Sequence, residues 1–369
     1  MQASHPDPYP AYRQLLAGPP LLFDPAAGLW VASRAAVIRE VMEHPDCQVR
    51  PASAPVPPAI AGTSAGELFG ALMRMNEGEA HACPRRIVEP ALSAIDPVRV
   101  GQSTRRFAET LECCDGRALT HWVFTLPIHV VGTLLGVADE DLAGLTSEVG
   151  DFVRCLSPLS SAEQLLEASA AARALQQRFS ALAPSGMGQL DVANLIGLLS
   201  QTHDATAGLI GNSVVALLTD ATLQTRLRGT PGSAALLVRE TARFDPPVQN
   251  TRRFVSRDTR IAGVPVAAGD TILLVLAAAS RDPQVFDEPD TFILDRVPGP
   301  LPGFGHGRHA CPGQALALTI ATAAIDYLLA LPAPLDPAKL AWRYRPSGNG
   351  RLPEFFKNQT KVNPYFCFV

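Results

Sequence analysis

The run Phe304-Gly305-His306-Gly307-Arg308-His309-Ala310-Cys311-Pro312-Gly313 limits what this chain can fold into more than any other segment. Its three glycines allow backbone conformations and close approaches that a side chain would block. Two histidines and an arginine supply charge and hydrogen bonds around one cysteine. No second cysteine lies near enough in sequence to share a metal or close a local disulfide. Beyond Pro312 an apolar helical run extends from Gln314 to Leu331. Proline suits the first position of a helix, where its missing N–H costs nothing. The sulfur of Cys311 is therefore expected at a helix N-terminus, where free N–H groups and the helix dipole favour a thiolate. A solitary thiolate held in this way is suited to be the axial ligand of a haem iron.

Three other readings of the segment are weaker. A phosphate-cradling glycine loop should follow a strand and carry no central cysteine, and Leu301-Pro302 is a poor strand end. A cysteine nucleophile needs a general base, and none is marked. A cysteine that is merely buried leaves the glycine spacing unaccounted for. The pattern resembles the haem-binding signature of the cytochrome P450 family, Phe-Gly-x-Gly-x-His/Arg-x-Cys-x-Gly. Phe304, Gly305, Gly307, His309, Cys311 and Gly313 fill every fixed position.

Other segments are similar to the same family, in its order. Glu240-Thr241-Ala242-Arg243 resembles its Glu-x-x-Arg helix, where positions i and i+3 share a face and can pair. The resemblance implies that Glu240 and Arg243 lock to Arg296, in Phe292-Ile293-Leu294-Asp295-Arg296. Ser280-Arg281-Asp282-Pro283 and Phe286-Asp287-Glu288-Pro289 look like the family's segment before the haem loop. Leu126-Pro127 and Leu134-Leu135-Gly136-Val137 look like the entry to its D helix. The likeness runs from about Pro6 to Pro353. It implies a mainly α fold with small β-sheets: a single triangular haem domain over residues 1–369, where length alone allows two or three domains.

Hydrophobic residues make up 47% of the 369, enough for a sizeable core. A formal charge of −4 gives no reason to expect nucleic acid as a partner. Cys47, Cys83, Cys113, Cys114, Cys155, Cys311 and Cys367 have no framework spacing, which fits reduced thiols in a cytosol. The polar, proline-rich start Met1–Pro8 reads as neither signal peptide nor membrane anchor. A soluble, cytoplasmic, monomeric protein of bacterial type is expected. No segment is left over for a flavin or an iron–sulfur cluster. Electrons are thus expected from a separate ferredoxin and ferredoxin reductase, unless peroxide replaces them.

Periodicity gives a coarse element order. Leu21–Phe23 and Leu29–Val31 read as a hairpin, and Ser33 as the cap of a helix to about Glu43. Pro51–Gly62 reads as a loop over the site. Helices are expected at Gly66–Met75, Arg85–Leu92, Val98–Cys113, Pro127–Leu135, Glu140–Leu156, Ala162–Leu182, Leu190–Leu218 and Ser233–Arg243. Strands are expected at Asn250–Val255, Arg260–Val266 and Thr271–Leu276. Residues 355–369 carry no interpretable pattern.

Two haem propionates require cations. The family's His-x-x-x-Arg pair is matched by His81 and Arg85, one turn apart on one helix face. Pro84 between them is unusual for the family and is expected to kink or start the helix. Arg253 matches the family's arginine on the strand beneath the haem, with Arg252 the alternative if the register slips by one. His309 is a further propionate candidate. Phe304 and Gly313 flank the sulfur. The implied cofactor is haem b, with Cys311 on its iron.

On the oxygen side the resemblance breaks. Ser200-Gln201-Thr202-His203-Asp204-Ala205-Thr206 is a polar island in an apolar helix, and buried polar interruptions mark sites. The family's motif here is Ala/Gly-Gly-x-Asp/Glu-Thr-Thr/Ser. Asp204 falls on the acid and Ala205 on the threonine that organises water for proton delivery. Thr206 falls on the position after it. A slip of one residue would restore Thr206 to the threonine place. With no hydroxyl at Ala205, the substrate's own hydroxyl or Gln201, one turn earlier, would have to hold that water.

Three functions stay open on the sequence. The first is a haem-thiolate monooxygenase acting on a small organic metabolite, in keeping with a secondary-metabolic role. The second is a peroxide-driven oxygenase, or a dehydratase or isomerase. The third is a non-catalytic haem or ligand-binding protein. The expected substrate contacts are Pro51–Gly62, Asp151–Glu167, Leu199–Ala205 and Val248–Asn250, with Gln201, His203, Gln249 and Asn250 as their polar groups. No carboxylate-binding arginine stands out among them, which favours a neutral or mixed-polarity substrate.

Overall fold

The architecture is mainly helical with small sheets, as expected. The computed structural model describes residues 3–183, 187–228, 230, 232–332 and 335–358. The N-terminal part holds α1 (Tyr9–Ala17), β1 (Leu21–Asp24), β2 (Leu29–Ala32), α2 (Ala35–Glu43) and β3 (Cys47–Gln48). A helical run follows: α3 (Ser64–Ala71), α4 (Glu79–Ser93), α5 (Pro97–Thr110), α6 (Gly116–Leu134), α7 (Leu142–Phe152), α8 (Ala162–Leu182), α9 (Gln189–Thr219), α10 (Ala221–Leu227) and α11 (Ser233–Phe244). Then come β4 (Thr251–Val255), β5 (Thr259–Ile261), β6 (Val264–Val266), β7 (Thr271–Leu274) and α12 (Leu276–Ala279). Last are α13 (Gln314–Ala330), β8 (Leu340–Tyr344) and β9 (Pro353–Lys357).

The main core packs α5, α6, α9, α11 and α13 together. Helix α9 is buried along most of its length, as its nearly all-round apolar surface requires. Trp122 of α6 is fully buried and donates its indole N–H to the Ala108 carbonyl at 3.3 Å. A five-stranded sheet, ordered β1-β2-β7-β4-β3, forms a second core with α2. The β1–β2 hairpin matches the sequence expectation. Strand β2 runs parallel to β7, so the N-terminal hairpin is joined to the strand that leads into α12.

Several boundaries differ from the sequence reading, each for a local reason. Ser33 does not cap α2. Arg34 occupies the N-cap without a side-chain bond, and the Ala35 N–H donates to Asp282 Oδ2 at 2.9 Å. The cap comes from a residue 247 positions away, which no local pattern reveals. Asp282→Ala is expected to cost about 1–2 kcal/mol, read as a shift in urea midpoint at unchanged slope.

Helix α6 starts at Gly116, not Pro127, because the Asp115 side chain accepts from the Ala118 N–H at 2.8 Å. Pro127 then sits inside it. Helix α4 likewise runs from Glu79 through Pro84 and Pro90, where a start at Arg85 was expected. The single strand expected at Arg260–Val266 is a hairpin of β5 and β6, turned at Ala262 and Gly263, both with positive φ. Helices α1, α10 and α12 and strands β3, β8 and β9 were not anticipated. Residues 359–369, with Cys367, lie outside the described residues. The six cysteines within them are unpaired. No single helix among them is long and apolar enough to cross a membrane.

Candidate haem site and substrate pocket

The loop ahead of α13 is shaped by two glycines. Gly305 has φ +74°, and a Cβ there would lie 3.1 Å from the His309 carbonyl oxygen. Gly307 has φ +64°. Left-handed backbone at both positions turns the chain so that the Cys311 N–H donates to the Phe304 carbonyl at 2.8 Å. That closes the loop around the sulfur. A Cβ on Gly313 would sit 3.9 Å from Sγ, and the Gly313 N–H faces the sulfur.

The helix terminus alone does not produce the thiolate expected from the sequence. Burial pushes the Cys311 thiol up, while the Gly313 N–H and Arg85 pull it down without prevailing. Helix α13 begins only at Gln314. A cationic metal at the sulfur is what would deprotonate it.

Around the loop the structure brings together His81, Arg85, Arg253 and His309. His81 and His309 have ring centroids 4.2 Å apart. Arg85 donates to the Ala310 carbonyl at 2.9 Å and pairs with Glu89 at 3.1 Å. Both His81 and Arg85 lie on α4, and Pro84 has not broken their shared helix. Desolvation, with His309 and Arg85 nearby, pushes His81 down to about 4, so it is neutral near pH 7. On β4 the alternation exposes Arg252 and buries Arg253, which selects Arg253 over its neighbour.

Glu77, which the sequence reading missed, organises this cluster. It accepts from Val49 N–H at 3.0 Å, Arg308 at 2.9 Å and His309 at 3.2 Å. Burial raises its carboxyl, but the bonds from His309 and Arg308 outweigh that and hold it at about 2.

Arg253 Nε is buried with no hydrogen-bond partner, and its Nη1 reaches only the Arg252 carbonyl. Among the described residues no carboxylate lies within ion-pair distance of Arg253 or His81. A buried guanidinium without an anion is costly. The two carboxylates of a haem are the chemistry this set lacks, so the donor set fits haem.

Beneath the loop, Glu240 and Arg243 of α11 form a buried bidentate pair at 2.6 and 2.9 Å. Arg296 Nε reaches Glu240 Oε1 at 3.2 Å. Arg243 also donates to the carbonyls of Ser280, Pro289 and Thr291. The three residues paired from the sequence do meet, and they tie α11 to the segment ahead of the loop.

On α9 the polar island divides by helix face. Gln201, Ala205 and Gly208 share one face, and a Cβ on Gly208 would meet Pro247 and Leu352 at 2.7 Å. His203 and Thr206 share another; Thr206 is buried, and the His203 ring lies 5.5 Å from that of Phe124 in α6. Gln201 Nε2 donates to the Gly197 carbonyl at 2.8 Å. Asp204 Oδ1 lies 2.9 Å from His203 Nδ1, and its side chain is half exposed. Gln249 and Asn250, expected as substrate contacts, donate to the Pro246 and Gly348 carbonyls. Their amides hold backbone in place.

Two arginines outside the expected substrate-contact ranges stand out here. Arg50 has Nε and Nη1 buried without partners, and Arg74 has Nε in the same state. Arg50 adjoins the expected loop, with its guanidinium 4.6 Å from the Phe69 ring centroid in α3. Arg74 lies on the short turn Met73–Met75 that packs on α9. Arg50 lies next to the Pro51–Gly62 range, and Arg74 lies outside all the ranges singled out in the sequence.

Comparison with known proteins agrees with this geometry. The family model described as "Cytochrome P450" matches residues 235–330. The biotin biosynthesis cytochrome P450 of Bacillus subtilis (strain 168) is 32% identical over 249 residues, covering 62% of this chain and 63% of that protein. The match therefore spans less than two thirds of that relative's length. The vitamin D(3) 25-hydroxylase of Pseudonocardia autotrophica is 29% identical, covering 88% and 86%. Among solved structures, CalO2 superposes with TM-score 0.82 at 26% identity, covering 95% of both chains. P450BioI, solved in complex with hexadec-9Z-enoic acid ligated acyl carrier protein, gives TM-score 0.81 at 24% identity over 95% and 97%.

Fold and likeness together are those of the haem-binding cytochrome P450 proteins. The chain belongs to the cytochrome P450 family, and its cofactor is haem b.

Proposed function

We propose that this chain is a monooxygenase that oxidises a small organic metabolite with dioxygen. Two electrons come from a separate ferredoxin and reductase. The chain acts in the cytoplasm as a monomer with one haem domain. The observation that carries this reading is Cys311, presented on its glycine loop near Arg253, a buried guanidinium without an anion. In this reading Cys311 holds the iron, with Phe304 and Gly313 shaping the space around the sulfur. His81, Arg85, Arg253 and His309 hold the propionates. When bound, the haem supplies the dioxygen-activating centre, and thiolate donation favours O–O cleavage.

The chain's own residues handle protons and water. Asp204 is half exposed and bonded to His203, so it can exchange protons with solvent. The Gln201 N–H₂ is engaged by Gly197, which leaves its carbonyl oxygen to accept from a water. Ala205 lies one turn further along that face. The buried position of Thr206, on the face of His203, supports Ala205 rather than Thr206 as the residue in the threonine place. A biosynthetic role is in keeping with relatives such as the biotin biosynthesis protein.

Ala205→Thr tests this assignment. With a surrogate ferredoxin and reductase, and a compound that shifts the Soret band, the variant should release less hydrogen peroxide per electron pair. Unchanged leakage would contradict the placement of the missing hydroxyl. The absence of that hydroxyl also motivates a second reading, a peroxide-driven oxygenase. Turnover with peroxide and none with the electron-transfer proteins would favour it.

A further inference from the structure

Among the described residues, buried and half-buried guanidinium groups include two kinds. Arg178, Arg243, Arg281 and Arg351 each have a carboxylate within ion-pair distance: Glu148, Glu240, Asp290 and Asp245. Arg50, Arg74 and Arg253 are different. Each has a buried nitrogen without a hydrogen-bond partner, and among the described residues none has a carboxylate within ion-pair distance. Leaving a buried cation unpaired costs stability unless a ligand supplies the anion. For Arg253 the haem propionates account for it. They do not account for Arg74, which lies on the turn Met73–Met75 packed against the oxygen-side helix α9. The turn Met73–Met75 is fixed to α9 by a 2.7 Å bond from the Met73 N–H to Asn194 Oδ1. Leu72 packs where a Cβ on Gly197 would lie, one turn before Gln201. Burial pushes Arg74 down to about 10, with Cys155 and Asp204 drawing it back up, so it keeps its charge near pH 7. Arg50 is half-buried over the Phe69 ring of α3, and α3 packs on both α9 and the Met73–Met75 turn.

We propose that Arg74 and Arg50 form an anion subsite in the substrate pocket and that the substrate is an organic carboxylate. This rests on the monooxygenase reading of the site and narrows it. A guanidinium binds a carboxylate through two parallel charge-assisted bonds, an arrangement that a neutral ester cannot reproduce.

The test is a Soret-shift titration of the haem-loaded protein with matched pairs: decanoic acid against methyl decanoate, and 3-phenylpropanoic acid against its methyl ester. In the wild type at least one acid should bind about tenfold tighter than its ester or better, as one charge-assisted contact implies. Arg74→Gln should remove that preference, and Arg74→Lys should restore part of it. Arg50→Gln should weaken acid binding with haem content unchanged. Esters binding as well as acids in the wild type would overturn the subsite, as expected if acyl chains arrive as thioesters. So would a preference that survives Arg74→Gln. Haem loss in Arg50→Gln would remove Arg50 from it. The reduced, carbon-monoxide-bound spectrum of each sample separates the failures. No thiolate band means the haem reading failed; a normal band with no acid preference means only the subsite failed.

Discussion

Cys311→Ser is expected to leave a folded protein that has lost the spectroscopic signature of thiolate ligation and shows no detectable oxygenation. The loop does not depend on the sulfur for its shape. Its closure is a backbone bond from Cys311 to Phe304, and its turns come from Gly305 and Gly307. The cation cluster would remain to hold the porphyrin, more weakly. What disappears is the electron donation that favours O–O cleavage. Circular dichroism, haem content and the reduced carbon-monoxide spectrum check this together. A variant that kept the red-shifted Soret band would show that another group holds the iron.

Glu240→Ala should be the most destabilising substitution named here. The carboxylate accepts from Arg243, Arg296 and the Ile293 N–H, and both Glu240 and Arg243 are almost fully buried. Removing it leaves Arg243 as an uncompensated buried charge, a change that costs about 3–5 kcal/mol. It also frees the segment from Ser280 to Arg296 that leads into the glycine loop. Denaturant midpoints of the haem-free protein would measure the loss, and a fall in haem yield should accompany it. A cost under about 1 kcal/mol, the level of an exposed pair, would contradict this role.

The proximal half of the site was legible because its chemistry is packed into short, ordered segments. Six fixed positions between Phe304 and Gly313, and the Glu240–Arg243 pair, are local patterns that need no tertiary information. Arg253 could be chosen over Arg252 only once the alternation of β4 showed which one turns inward. Glu77, Arg50 and Arg74 were missed because their meaning lies in what surrounds them. A glutamate gathering Arg308, His309 and Val49, or a guanidinium nitrogen with nothing to bind, leaves no mark on sequence spacing. The helix boundaries failed in the same way: Asp282 caps α2 from the far end of the chain. Pro127 and Pro84 looked like helix starts, yet both lie inside helices, and α6 is buried along much of its length.

The central claim is one bond between a haem iron and Cys311. It is tested most directly by reducing the purified, haem-loaded protein under carbon monoxide and recording its Soret band. The account predicts the strongly red-shifted band of a thiolate-bound iron. A band at the position given by histidine or other neutral ligation, or a polypeptide that takes up no haem, would contradict it.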